Sequence, residues 1–269
     1  MTTGLSFNGT PATGASYLAQ MATMAVVDTT DPNFLTILPA MITYAENRIY
    51  RDLDFLFTSI STTSYTLTTG NRQLSVPAGT FVVPEQINVL TPIGVTDPNA
   101  AIRSPLLPTT KEFLDAVYGD YTYTAMPKYF CPFDDYTFYV GPFPDQNYTV
   151  ELVGTYRPQS LGPGASDATF LANYITYTGA AYPNFASTTT TTFISLYLPE
   201  LMILASMIYI AAYQRNFSSA QGNDPQMPIT YETQYQTLLK SAASEENRKK
   251  FEAAAWSSQS TSTTATPTR

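Results

Sequence analysis

The side chains whose spacing comes nearest to a chemical site are two acidic pairs, one cysteine and one short basic run. Asp52/Asp54 and Asp134/Asp135 are the acidic pairs. General acid–base catalysis wants two carboxylates in different environments facing one cleft. Asp52 and Asp54 end a predicted helix with Leu53 between them, and Asp134-Asp135 reads as a turn between strands, so neither pair meets that need. Cys131 is the single cysteine, which excludes an internal disulfide and a cysteine-based metal cluster. Its setting, KYFCPFDDY, reads as that of a small core hydrophobe. The chain has no histidine, so Ser-His-Asp hydrolysis, Cys-His hydrolysis and histidine zinc sites fall together. No GxGxxG, GxxxxGKS/T or GxSxG motif and no calcium-binding loop is present. The expectation is a protein that is not an enzyme and holds no cofactor or metal.

The basic run is Arg248, Lys249 and Lys250, enclosed by Glu245, Glu246 and Glu252. It reads as a solvated helix face with pairs four residues apart. Net charge is −8 and the isoelectric point about 4.5. Sequence-independent nucleic-acid binding needs a basic surface that releases counterions, which this chain lacks globally. An acidic wall can still line a channel through which DNA slides without sticking. Charged residues are only 13% of the chain, about half the usual share. That suits a subunit covered on several sides by partners, and equally a secreted or halotolerant monomer. The 20 Tyr and 15 Phe can stack on sugars or bases, or simply pack strands and interfaces.

The hydrophobic periodicity divides the chain. Residues 15–27 predict a short helix with Leu18, Met21, Ala22 and Ala25 on one face. Residues 33–54 predict a long helix capped by Asp31 or Asn33. Its stripe runs Phe34, Ile37, Leu38, Met41, Ile42, Ala45, Ile49 and Leu53, with Glu46, Arg48 and Arg51 off it. Pro39 implies a kink or a split there. From Thr58 the period changes to two. Residues 61–68 and 72–76, around Gly70-Asn71, read as a hairpin, and residues 81–90 as a strand pair or one strand broken at Pro84. A short helix follows, capped by Thr109 or Thr110, with Phe113, Leu114 and Val117 inward. Residues 128–133, 137–140 and 148–156 are three more strands. Residues 196–216 predict a helix that is apolar nearly all round, and 231–256 a last helix carrying Tyr231, Tyr235, Leu238, Leu239 and Ala242.

The expected class is α+β: a helical bundle formed by N- and C-terminal helices, with an inserted antiparallel β barrel or sandwich. The expected parts are residues 1–57, an inserted β domain at 58–160, a Thr-rich extended loop at 161–195, helices at 196–256 and a flexible tail at 257–269. The N-terminus MTTGLSFNGT has neither a basic residue nor an apolar run, so no signal peptide is expected. Residues 193–213 are long enough to span a membrane, but Pro199-Glu200 fits the first turn of a buried helix better, and no membrane partner is expected.

The stretch ITYAENRIYRDLDF, residues 42–55, resembles the opening helix of bacteriophage head-to-tail adaptor proteins, the portal-bound neck subunits of tailed phages. PLLPTTKEFLDAVYG, the run from MPKYF to VELVGTYRP, and LPELMILASMIYIAAY follow in the order of that family, so the resemblance covers roughly residues 32–251. The chain also looks similar to tail tubular protein A of short-tailed phages, an adaptor with a helical part and a β part. The resemblance implies a structural virion protein in the neck between capsid and tail, assembled in the host cytoplasm. It implies a dodecameric ring under the portal protein, a tail or nozzle protein as the other partner, and genomic DNA passing through without sequence-specific contact. The interface residues expected are Tyr44, Arg48 and Arg51 towards a neighbour, Arg248, Lys249, Lys250 and Trp256 towards the portal, and Asp134 towards the tail. The alternative is a carbohydrate- or receptor-binding β module of a virion protein, suggested by the aromatic strands.

Overall fold

The computed structural model describes residues 4–9, 15–77, 80–94, 98–164, 167–182, 191–217 and 227–255. They form two compact units: Phe57–Arg157, and a discontinuous unit made of Met1–Leu56 with Pro158–Arg269.

The discontinuous unit starts with β1 (Leu5–Ser6) paired in parallel with β2 (Ala15–Ser16). Helix α1 (Tyr17–Ala25) follows at once, because Ser16 Oγ accepts the Ala19 N–H at 3.1 Å and satisfies a first-turn donor. Its buried face contains the expected Leu18, Met21, Ala22 and Ala25, joined by Tyr17. Val26 ends it at φ 55°, a left-handed cap that lets the Val27 N–H reach the Ala22 carbonyl at 3.0 Å.

Helix α2 (Pro32–Asp52) has Pro at its start and Asp31 as its cap, the Asp31 carboxylate accepting the Phe34 N–H at 2.8 Å. It is one helix, not the two that Pro39 allowed for. Proline removes one bond to the preceding turn. Buried Leu35, Leu38, Met41 and Ile42 flank the gap on the core side and hold both halves to the same neighbours. Each such side chain contributes about 1.5–3 kcal/mol on burial. The expected stripe is confirmed at Phe34, Leu38, Met41, Ile42, Ala45 and Ile49, with one correction: Glu46, read as off the stripe, is buried.

In the continuous unit the strands are β3 (Ser59–Leu67), β4 (Gln73–Ser75), β5 (Val83–Thr91), β6 (Ile102–Pro105) and β7 (Leu107–Pro108). Helix α3 (Lys111–Tyr118), capped by Thr110, precedes β8 (Tyr129–Asp134), β9 (Thr137–Gly141) and β10 (Tyr148–Thr155). They build two four-stranded sheets, ordered β3-β10-β5-β6 and β4-β9-β8-β7. Every pair is antiparallel except β7–β8. A sandwich, rather than a closed barrel, is what forms. Leu67, Ile87, Val89, Val150 and Leu152 of one sheet meet Leu74, Phe138 and Val140 of the other in a common core. Cys131 is buried, as its sequence setting suggested.

Two expectations fail here. The predicted hairpin does not form, since β3 and β4 lie in different sheets. Asn147 Oδ1 takes both the Thr69 N–H, at 2.9 Å, and its hydroxyl, and the Gly70 N–H goes to the Pro144 carbonyl at 2.8 Å. The connection, with Gly70 at φ 71°, therefore crosses between sheets instead of folding back. In α3 only Leu114 points inward, while Phe113 and Val117 stay on the surface. The segment expected at residues 81–90 forms the single strand β5, which starts at Val83, with Pro84 inside it and a register shift opposite at Val153/Gly154.

After Pro158 the chain rejoins the first unit through α4 (Ala168–Thr178), α5 (Phe193–Tyr197), α6 (Pro199–Phe217) and α7 (Met227–Ala255). Helix α4 occupies part of the segment expected to be extended. Its Phe170 and Tyr174 pack inward, a spacing of four hidden among Thr, Asn and Gly neighbours. The tract at residues 183–190 and the tail at 257–269 lie outside the described residues. Pro199-Glu200 is the first turn of α6, as read from the sequence. No helix among the described residues is long and apolar enough to cross a membrane.

The β5–β10 pairing depends on Gly154, where an added Cβ would sit 2.5 Å from the Val83 carbonyl oxygen. Gly154→Ala is therefore expected to lower the stability of the β unit by about 1–3 kcal/mol. Ile102→Ala, at a 68% exposed position, should stay within about 0.5 kcal/mol. Urea denaturation of the two variants measures both, and equal midpoints would contradict the close approach.

Candidate protein-interaction surfaces

The motif helix does two jobs, one facing α7 and one facing the core. On the first side, Arg48 reaches Glu232 of α7 at 2.6 Å and lies 4.4 Å from the centre of the Tyr235 ring, with Asp52 at 3.6 Å. The Tyr235 hydroxyl donates to Asp52 Oδ2 at 2.8 Å. The four side chains close a network between helices far apart in sequence. Glu232 is held below the usual carboxylate range by its bond to Arg48. Burial pushes the Tyr235 phenol up, and its donation to Asp52 adds to that. Arg48 is thus engaged within the chain by Glu232 and the Tyr235 ring.

Beyond the end of α2, the Leu56 N–H and Lys249 both approach Glu246, which is buried although its neighbours are solvated. Lys249 bonds Glu246 at 2.6 Å and Glu245 at 3.1 Å, and lies 5.6 Å from the Phe193 ring centre. Lys250 pairs with Asp54. The basic run is therefore only partly the solvated face expected from sequence. Arg248 is exposed, bonding the Ser244 carbonyl of its own helix at 3.5 Å, and Lys249 pairs with Glu245 and Glu246 one turn back on α7 as expected, whereas Lys250 reaches Asp54 just beyond α2. Tyr44 is half exposed and leans on Tyr209 of α6, with ring centres 5.5 Å apart. Arg51 is exposed and bonds the Asn47 carbonyl at 3.0 Å. Trp256 lies outside the described residues.

On the core side sits Glu46, 1% exposed. Its Oε1 accepts the Leu161 N–H at 2.9 Å, where the chain has just returned from the β unit. Its Oε2 is buried without a hydrogen-bond partner among the described residues. Burial pushes this carboxyl up from 4.5 to about 7, against the bond from Leu161 and the nearby Ser160 and Thr192 side chains. Sequence reasoning missed it. The signal was its place four residues after Ile42, a core spacing overruled by the residue's charge.

The β unit carries a different surface. Asp134 and Asp135 line a cavity of about 360 Å³ with Val76, Phe81, Pro132 and Phe138. Asp134 Oδ1 accepts the Tyr136 N–H at 2.7 Å, as a turn-forming carboxylate does. Exposed aromatics gather elsewhere on the unit: Tyr121 is 74% and Tyr123 56% accessible, and Tyr123 stacks on Tyr118. No group of three or more His, Cys, Asp or Glu among the described residues is arranged to hold a metal ion.

Long-range side-chain networks brace the helical unit, and aromatic surface is left exposed on the β unit. The family model described as SU10 adaptor protein matches residues 15–260, and the chain belongs to that family. It is a structural adaptor protein of a bacteriophage. No curated protein sequence matches it.

Glu46 sets a pH dependence whose sign is fixed. The folded state binds this proton more tightly than the unfolded chain, so stability is fullest below about 4.5 and falls as pH rises through about 7. The contribution lost is on the order of 3 kcal/mol for a shift of this size in so buried a group. Glu46→Gln should flatten the fall in urea midpoint between pH 5 and pH 8. Parallel falls in variant and parent would show that Glu46 is not its source.

Proposed function

We propose that the chain is a subunit of the phage neck, forming a dodecameric ring that joins the portal to the tail and surrounds the path of genomic DNA. The observation that carries this reading is the family match over most of the chain. Three properties of the molecule support it. The helical unit is assembled from both ends of the sequence, with the β unit inserted between them in the chain. A net charge of −8 suits a channel wall that does not hold DNA. A division into a helical part and a β part is also what likens the chain to tail tubular protein A.

In this reading Tyr44 and Arg51 face a neighbouring copy, Arg248 and the segment from Trp256 onward meet the portal, and the Asp134 cavity faces a tail or nozzle protein. Arg48, Lys249 and Lys250 act indirectly, by bracing the helices that present those surfaces. Assembly takes place in the host cytoplasm. Electron microscopy of the chain mixed with its portal protein tests the reading. A ring of about twelve copies under the portal is expected, and a chain that stays monomeric beside free portal would overturn it. Removing residues 257–269 should weaken portal docking; undiminished docking would take that role from the tail.

The reading of the β unit as a carbohydrate- or receptor-binding module keeps one supporting observation, the exposed Tyr121, Tyr123 and Phe133. Saturable binding on a glycan array, lost in Tyr121→Ala, is its expected signature, and a blank array removes it.

A further inference from the structure

Helix α6 is apolar on nearly every side, and such a helix must be covered on every side. Its Leu201, Met202, Ala205, Met207 and Ile210 are buried. Ile203 and Leu204 are only partly covered. They line a groove against Thr233, Thr237 and Leu238 of α7, with a cavity of about 480 Å³. A second cavity of about 310 Å³ continues it towards Tyr197, Ala242 and Glu245, sharing Glu200 and Leu238 with the first. Apolar surface left in water there forgoes about 25 cal/mol for each Å² that an occupant would bury.

Charge selects the occupant. Glu200 lines both cavities and forms no ion pair among the described residues, whereas Glu245 is engaged by Lys249. The occupant therefore brings a cation next to an apolar or aromatic side chain. Helix α2 presents that pair on its outer side. Tyr44 is 50% exposed, and Arg51 lies two helical turns further on the same face, exposed and in no ion pair among the described residues. Lys240 and Arg248, the other exposed cations of this unit outside ion pairs among the described residues, sit on α7, which forms one wall of the groove.

We propose that the groove between α6 and α7 receives the Tyr44–Arg51 face of α2 from a second copy of this chain, with Arg51 set against Glu200. Groove and ridge are different surfaces, so the contact is heterologous and each copy keeps one of each free for the next, which is how rings are built. The inference deepens the neck reading and rests on it for the assembly in which copies meet.

The test uses assembled particles. Arg51→Glu and Glu200→Arg each place like charges together and should lower incorporation of the chain about tenfold or more, while the double variant restores it. In parallel, Arg51→Cys with Glu200→Cys should give a ladder of linked copies with a short bismaleimide, and either cysteine alone should not. Cys131, 1% exposed, stays out of the reaction. Parental incorporation of both single reversals, or no ladder from particles that contain the double-cysteine chain, overturns the groove contact and leaves the neck reading standing. Absence of the parental chain from particles overturns the neck reading instead. The same linker applied to the concentrated purified chain then decides the groove contact, a ladder supporting it and none refuting it.

Discussion

Everything in the helical unit depends on two stretches of chain, before residue 57 and after residue 157, finding each other. Apolar burial supplies most of the attraction, through α2 and α1 packing on α6 and α6 on α7. Burial alone fixes neither register nor angle. The Arg48–Glu232–Tyr235–Asp52 network does so between α2 and α7, and Glu246 with the Leu56 N–H and Lys250 with Asp54 repeat the fastening beyond the end of α2. Partly exposed ion pairs add only about 0–1 kcal/mol each. Their importance lies in geometry: Arg48 satisfies a carboxylate and covers an aromatic ring at once, which one arrangement of the two helices permits.

The same economy shapes the core around Glu46. A carboxyl with no cation beside it is an expensive thing to bury. Here it holds the returning backbone at Leu161, next to the Thr192 cap of α5. The return of the chain to the helical unit is therefore held by a polar contact as well as by the burial of Leu161. Raising the carboxyl to about 7 is the physical consequence of that placement.

The α+β class and the positions of the long helices were legible because α2 repeats its apolar residues at helical spacing and the middle of the chain alternates. The family was legible in residues 42–55. What escaped reading was long-range. Whether β3 turns back on β4 or crosses to another sheet is decided by Asn147 and Pro144, some seventy residues on, which no local window contains. Lys250 looked solvated because its partner, Asp54, lies far away in the sequence. Glu46 looked exposed because charge is a good guide to the surface except where a backbone donor waits inside. Helix α4 was hidden by its Thr and Asn residues, which weaken helix propensity but leave Phe170 and Tyr174 correctly spaced.

The central claim is that α2 and α7 behave as one cooperative body closed by Arg48. Hydrogen–deuterium exchange on the full chain, with and without Arg48→Ala, measures it most directly. The account predicts that amides around Arg48 in α2 and around Tyr235 in α7 exchange at similar rates in the parent and accelerate together in the variant, while β5 and β10 are unchanged. Acceleration confined to one of the two helices would contradict it.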